Sequence, residues 1–189
     1  EAGAATLTWD SDADYANGAT DGSGTWDAAT PNWRADASNA VWNSDAPDSA
    51  VFGAGGAAGT VTLGTGLTAG GMTFNPTSSG SYRLSGGTLT LAGGAPEIAA
   101  NANAAIASVL AGTQGLVKSG GGTLTLTGAN TYSGGTAVRD GTLEIGDGAA
   151  NGTLNGSYAI GKGATLRLNR TAATTVGSAF TGGGALTLA

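Results

Sequence analysis

The stretch from Gly120 to Gly146, GGGTLTLTGANTYSGGTAVRDGTLEIG, limits what this chain can fold into more than any other. Its even positions read Gly122, Leu124, Leu126, Gly128, Asn130, Tyr132, Gly134, Thr136 and Val138, while the odd positions are mostly Thr, Ser and Ala. A period of two means strands with one buried face and one wet face. Beyond Val138 the parity slips, and the apolar set becomes Gly141, Leu143 and Ile145. A one-residue slip turns a strand inside out unless the chain bends, and Asp140-Gly141 is a turn pair suited to that bend. Strand, corner, strand is the construction of one coil of a parallel β-helix.

The same residues resemble a known family. With Gly146, and with Leu116-Val117-Lys118-Ser119-Gly120 as a lead-in, the stretch is similar to the passenger-associated transport repeat, or autotransporter-associated β-strand repeat, of bacterial type V secreted proteins. The resemblance covers residues 116–146. It implies a right-handed parallel β-helix exported to the cell surface, and a repeat that assists folding and secretion of its passenger. It implies no catalytic residues.

Composition fits a thin, stacked core. Glycine is abundant (36 residues) beside only four prolines, yet no G-X-Y period exists, which excludes collagen. Large apolar groups are isolated among Gly, Thr and Ala, too sparse for a compact globule but enough for a solenoid. Cysteine is absent, so stability must come from stacking and not from disulfides. Histidine is absent too, removing the commonest general base and metal ligand. No stretch reaches the roughly 20 apolar residues of a membrane span. No signal peptide is legible, and Glu1 is expected to follow a removed leader or an arbitrary boundary.

The net charge of −6 is unevenly placed. Residues 1–55 hold nine acids against Arg34 alone, and the remainder is slightly basic. So acidic a chain, with few and scattered bases, is not expected to bind nucleic acid by phosphate neutralisation.

Residues 1–55 also differ in character. They hold all four tryptophans, Trp9, Trp26, Trp33 and Trp42, on short apolar runs separated by Asp, Asn, Gly and Ser turns. The first coil of a β-helix has an unpaired edge that invites association. A Trp-rich N-terminal cap over residues 1–55 is the reading, and a W-D…W…N-W…A-V-F segment before such repeats agrees with the resemblance. The functional rival is a sugar platform, since indole faces stack on carbohydrate rings; four clustered Trp more often make a small core.

The coils are expected over residues 56–189. Short strands follow at Thr60 to Leu63, Met72 to Phe74, Tyr82 to Leu84 and Thr88 to Leu91, punctuated by Gly64, Gly66, Gly70-Gly71 and Gly86-Gly87. Related strands recur at Leu124, Leu143, Leu166 and Leu186, spaced 19, 23 and 20 residues apart, the length of one β-helix turn. Residues 96–112 are ambiguous: Ile98, Ala102, Ala105, Ile106, Val109 and Leu110 fit a helical stripe behind Pro96, and Ile98, Ala100, Ala102, Ala104 and Ile106 fit a strand. The flanking repeats decide for strand. After Tyr158 to Ile160 and Ala164 to Leu168, the last run, Ala185 to Leu188, offers Leu186 and Leu188 as an assembly edge.

Few motifs suggest chemistry. Asp10, Asp12 and Asp14 have the spacing of a calcium loop, with Asp21 at the twelfth position, but Tyr15 stands where the turn wants glycine. A solvated acidic loop is the plainer reading, and no cofactor is expected. Polysaccharide-cleaving β-helices need clustered carboxylates. Here the coils offer Glu97, Asp140, Glu144 and Asp147, with Arg139 near, and turn chemistry explains them all. Glu144, between Leu143 and Ile145, should point outward.

The expectation is an all-β, right-handed parallel β-helix with a structural or adhesive role at the bacterial outer-membrane surface. It would not insert directly into the membrane, and it would meet a host or cell-surface glycan or protein. A self-assembling filament or surface-layer protein stacking through its ends is the second reading. A carbohydrate-binding or polysaccharide-cleaving β-helix is the third.

Overall fold

The computed structural model describes residues 4–45, 47–172 and 178–189; residues 1–3 and Ala46 of the N-terminal segment lie outside that description. One coil shows the plan of the rest. The chain runs through Gly71–Phe74 in a first sheet, Tyr82–Gly86 in a second and Thr88–Leu91 in a third, then returns to the first at Glu97–Ala100. The returning strand pairs in parallel with the one it left, setting Ile98 on Met72 and Ala100 on Phe74. Among the described residues, repetition makes sheets of ten, eight and three strands and an all-β solenoid. Among the described residues the helical element is a single 3-10 turn, Tyr15–Asn17, capped by the Asp14 carboxylate.

Residues 96–112 are strands: Glu97–Ala100, Ala104–Ile106 and Val109–Ala111. Alanine favours a helix locally, but adjacent coils offer ladder partners on both sides, and tertiary pairing overrides propensity.

The alternation seen in the sequence becomes columns of stacked side chains. Leu124, Leu143, Leu166 and Leu186 pair residue on residue, so the spacings of 19, 23 and 20 are each one coil. Beside them run Leu126, Ile145, Leu168 and Leu188. Each leucine buried this way contributes about 1.5–3 kcal/mol, so a core one side chain deep suffices.

Between Val138 and Leu143 the corner is one residue shorter than the corresponding corner between Lys118 and Leu124. Gly141 makes the shorter route possible. Its φ is +61°, and it lies so close to the previous coil that a Cβ would meet the Gly120 and Gly122 carbonyl oxygens at 2.5 and 2.6 Å. This is the parity slip of the sequence.

The third sheet ends after Val109–Ala111. From there an asparagine replaces the missing strand: Asn130 Oδ1 accepts the Leu110 N–H at 2.9 Å, and the Thr131 N–H donates to the Leu110 carbonyl at 2.8 Å. One coil further on, Asn155 Nδ2 donates to the Asn130 carbonyl at 2.9 Å. Side chains thus share the ladder with the backbone beyond the last strand of this sheet.

Candidate functional site

The repeat contributes its periodic residues to the interior. Leu124, Leu126, Asn130, Tyr132, Val138, Leu143 and Ile145 are all buried. Tyr132 and Thr136 share a hydroxyl–hydroxyl hydrogen bond of 2.9 Å, and burial pushes the phenols of Tyr132 and Tyr158 above their ordinary range.

An ammonium stands in the interior of the coils. Lys118 lies in the inward column between Ile98 and Val138 and is fully buried. Its ammonium donates to three carbonyls, those of Ser119 and Gly120 at 2.7 Å and of Asp140 at 2.9 Å. Burial pulls it down to about 8, an effect the nearby Asp140 charge opposes. As a letter in the lead-in to the repeat, Lys118 looks like a solvated surface residue. Its even parity with Leu116 and Leu124 is the signal that places it inside.

At the other end of the stack the four tryptophans form one cluster. Trp26 meets Trp33 and Trp42 at centroid distances of 4.8 and 4.6 Å, and Trp9 meets Trp33 edge-on at 5.3 Å. Phe52, stacked on Phe74 at 5.1 Å, continues the cluster into the coils. No indole face is presented to solvent, since all four are buried. The unpaired edges of all three sheets are met here by three different devices. The first sheet turns antiparallel, Thr6–Trp9 pairing with Trp33–Arg34 and that with Asn39–Ala40. In the second, Asn32 Nδ2 donates to the Thr25 carbonyl at 3.1 Å. In the third, Thr68 has its carbonyl bonded by Trp42 Nε1 at 2.8 Å and its N–H by Ser44 Oγ at 3.2 Å.

The four aspartates with calcium spacing are parted by their partners. Asp10 is buried and accepts from the Thr20 hydroxyl (2.8 Å), Asn39 Nδ2 (3.1 Å) and Arg34 (3.3 Å). Asp21 clasps a neighbouring loop, accepting the N–H groups of Gly53, Ala54 and Gly56 and the Tyr82 hydroxyl, the last at 2.6 Å. Asp12 and Asp14 accept backbone N–H groups around the 3-10 turn.

The carboxylates of the coils are dispersed as well. Glu97 accepts from the Ser119 hydroxyl, Asp140 caps the Gly141 N–H, and Asp147 accepts from Ala149 and Ala150. Glu144 does lie on the outer face, yet it is largely covered. Thr125, Asn169 and Arg167, from the coils before and after, close over it at 3.1, 2.9 and 3.5 Å. The outer face of the first sheet carries a shallow groove of about 340 Å³ walled by Val117, Ala137, Ala159 and Thr181, without an acid, a base or an aromatic ring in its lining.

At the last described strand, Leu186 and Leu188 are 45 % and 81 % exposed, although the same columns are buried in every preceding coil. No helix among the described residues is long and apolar enough to cross a membrane.

Comparison with known proteins agrees with this architecture. Residues 116–145 match the family described as the passenger-associated transport repeat. The chain is 44 % identical over 151 residues to the BmaC autotransporter adhesin of Brucella suis biovar 1. That alignment covers 77 % of this chain and 4 % of the adhesin, so the chain spans a small fraction of its relative's length. No solved structure matches it.

Proposed function

We infer that this chain, an autotransporter passenger segment built around a passenger-associated transport repeat, is a structural and adhesive module displayed at the outer-membrane surface. The observation that carries the reading is the continuous in-register stack through the repeat, in a chain homologous to part of an adhesin. A stack of this kind makes a rod whose interior is fully used for cohesion, leaving outer faces and corner loops to meet a host or cell-surface protein or glycan. A non-enzymatic role is supported by the carboxylates of the coils, each engaged with its own structural partner. The Trp-rich segment serves as the cap of the stack, holding three sheet edges that would otherwise recruit other chains.

Surface display of the chain fused to a heterologous outer-membrane translocator tests the reading. Protease-accessible chain on intact cells and a gain in cell attachment are expected. Deletion of residues 116–145 should lower the amount displayed. Efficient display without any gain in attachment to host cells or purified glycans would defeat the adhesive part.

A further inference from the structure

We propose that Lys118 is a register lock for the coil that follows it: an interior ammonium that reaches its third acceptor, the Asp140 carbonyl, only when Thr136–Val138 is aligned on Leu116–Ser119 as in the native stack.

The need for such a lock arises from the sequence. Strands of Thr, Ala, Gly and an occasional Leu or Val alternate so monotonously that a slip of two residues keeps every inward side chain inward, and register is weakly specified in Gly-rich strands. Thr136–Val138 is a case in point, with Thr136, Ala137 and Val138 flanked by Gly134, Gly135 and Gly141. Hydrophobic burial alone hardly distinguishes its alignments.

Lys118 does distinguish them. Two of its acceptors, the Ser119 and Gly120 carbonyls, belong to its own strand and corner and are present in any alignment. The third belongs to the corner of the next coil, 22 residues on. A two-residue slip displaces that corner by about 6.6 Å, since a parallel strand rises about 3.3 Å per residue, far beyond hydrogen-bonding distance. The ammonium would then be left buried with an open donor, between the apolar side chains of Ile98 and Val138. The Asp140 carboxylate caps the Gly141 N–H at 2.8 Å, and the acceptors of the ammonium in the native stack are the three carbonyls. A buried ion that is satisfied in only one arrangement adds little to stability but penalises the alternatives, the best-attested use of interior polar groups.

The chain has no cysteine, so introduced pairs report alignment without background. Val117 and Ala137 are partners on the outer face. Val117→Cys with Ala137→Cys reads the native register; Val117→Cys with Arg139→Cys, or with Gly135→Cys, reads slips of two residues either way. Each pair is placed in the full chain with and without Lys118→Met, which keeps length and apolar packing but removes the charge. With Lys118 present, only the 117–137 pair should close under mild oxidation. With Lys118→Met, a slipped pair should close well above the parent's background, while the urea midpoint stays at or above the parent's. If Lys118→Met closes only the native pair, the lock does not exist. If Lys118→Met fails to give a cooperative urea transition, the charge is needed for stability and not for register, and the proposal fails equally.

Discussion

The indole N–H of Trp42 donates to the carbonyl of Thr68 at 2.8 Å, closing the outer edge of the third sheet with a side chain in place of a strand. Trp42 is also packed against Trp26 and Trp33 at 4.6 and 4.7 Å, so one residue both seals an edge and fills the core beneath it. The two contributions can be separated. Trp42→Phe keeps most of the ring burial and leaves the Thr68 carbonyl bare, a loss of about 1–3 kcal/mol. Trp42→Ala adds a cavity and should cost about 3–5 kcal/mol. Urea unfolding followed by circular dichroism gives both values, and a Trp42→Phe variant as stable as the parent would refute the edge-sealing role.

A sharper contrast is available at two glycines twenty residues apart in the repeat. At Gly141 the left-handed φ and the carbonyls of Gly120 and Gly122 leave no room for a methyl group. Gly121 has open space where its Cβ would stand. Gly141→Ala should therefore destabilise by about 1–3 kcal/mol, from backbone strain alone, with the steric conflict added. Gly121→Ala should be close to neutral. The pair separates a general dislike of losing glycine from the specific demand of the short corner.

Stability should change with pH in a way that identifies the buried groups. The Lys118 ammonium sits at about 8 when folded, against 10.5 ordinarily. Between those values the unfolded chain holds a proton that the folded chain has lost, so raising the pH through that window favours folding. Above about 10 the sign reverses. Tyr82, Tyr132 and Tyr158 are raised by burial, so they stay neutral in the fold while the unfolded chain ionises, and stability falls. In acid, backbone donors hold Asp12 (Asp14, to about 2), Asp27 (Thr30) and Asp147 (Ala150) below the ordinary 3.8. Their contribution is present above 3.8 and is lost as the pH falls through the folded values. Urea midpoints from pH 7 to 11 should rise and then drop; with Lys118→Met the rise should vanish and the drop remain. A rise that survives in Lys118→Met would assign it to another group.

How much of this was legible in the sequence depends on the kind of information each residue carries. Period-two alternation translates directly into which side chains face inward, so the columns under Leu124 and Leu126 and the slip at Asp140-Gly141 could be read by counting. The spacing of the leucines gave the length of a coil. The end of the third sheet at Leu110 could not be read, because it depends on Asn130 taking one backbone hydrogen bond from a strand twenty residues earlier. The covering of Glu144 was hidden for the same reason: Thr125, Asn169 and Arg167 come from neighbouring coils, and register between coils is a tertiary quantity. Asp21 shows the converse. Its stretch of sequence read as a solvated acidic loop, with a calcium loop as the rival, whereas its oxygens are directed to Gly53, Ala54, Gly56 and Tyr82, far along the chain.

The exposed strand Ala185–Leu188 provides the final test. It pairs with Thr165–Leu168 on one side and presents free N–H and C=O groups on the other, with Leu186 and Leu188 uncovered among the described residues. An edge of this kind is a template for another strand, and a contact that does not close on itself extends into a filament. The net charge of −6 opposes association, but the acidic excess lies in residues 1–55, at the opposite end of the stack. Taken in isolation, the 189-residue segment should therefore associate in a concentration-dependent way, as the next coil of a longer passenger would occupy the same edge, and Leu186→Lys should reduce that association by placing a charge in the apolar column. Light scattering across a concentration series measures both. Because Leu186 is already half exposed, the substitution should leave the urea midpoint nearly unchanged, which separates lost association from lost folding. A parent that stays monomeric at high concentration, with a Leu186→Lys variant that behaves identically, would show that this edge does not recruit a second chain.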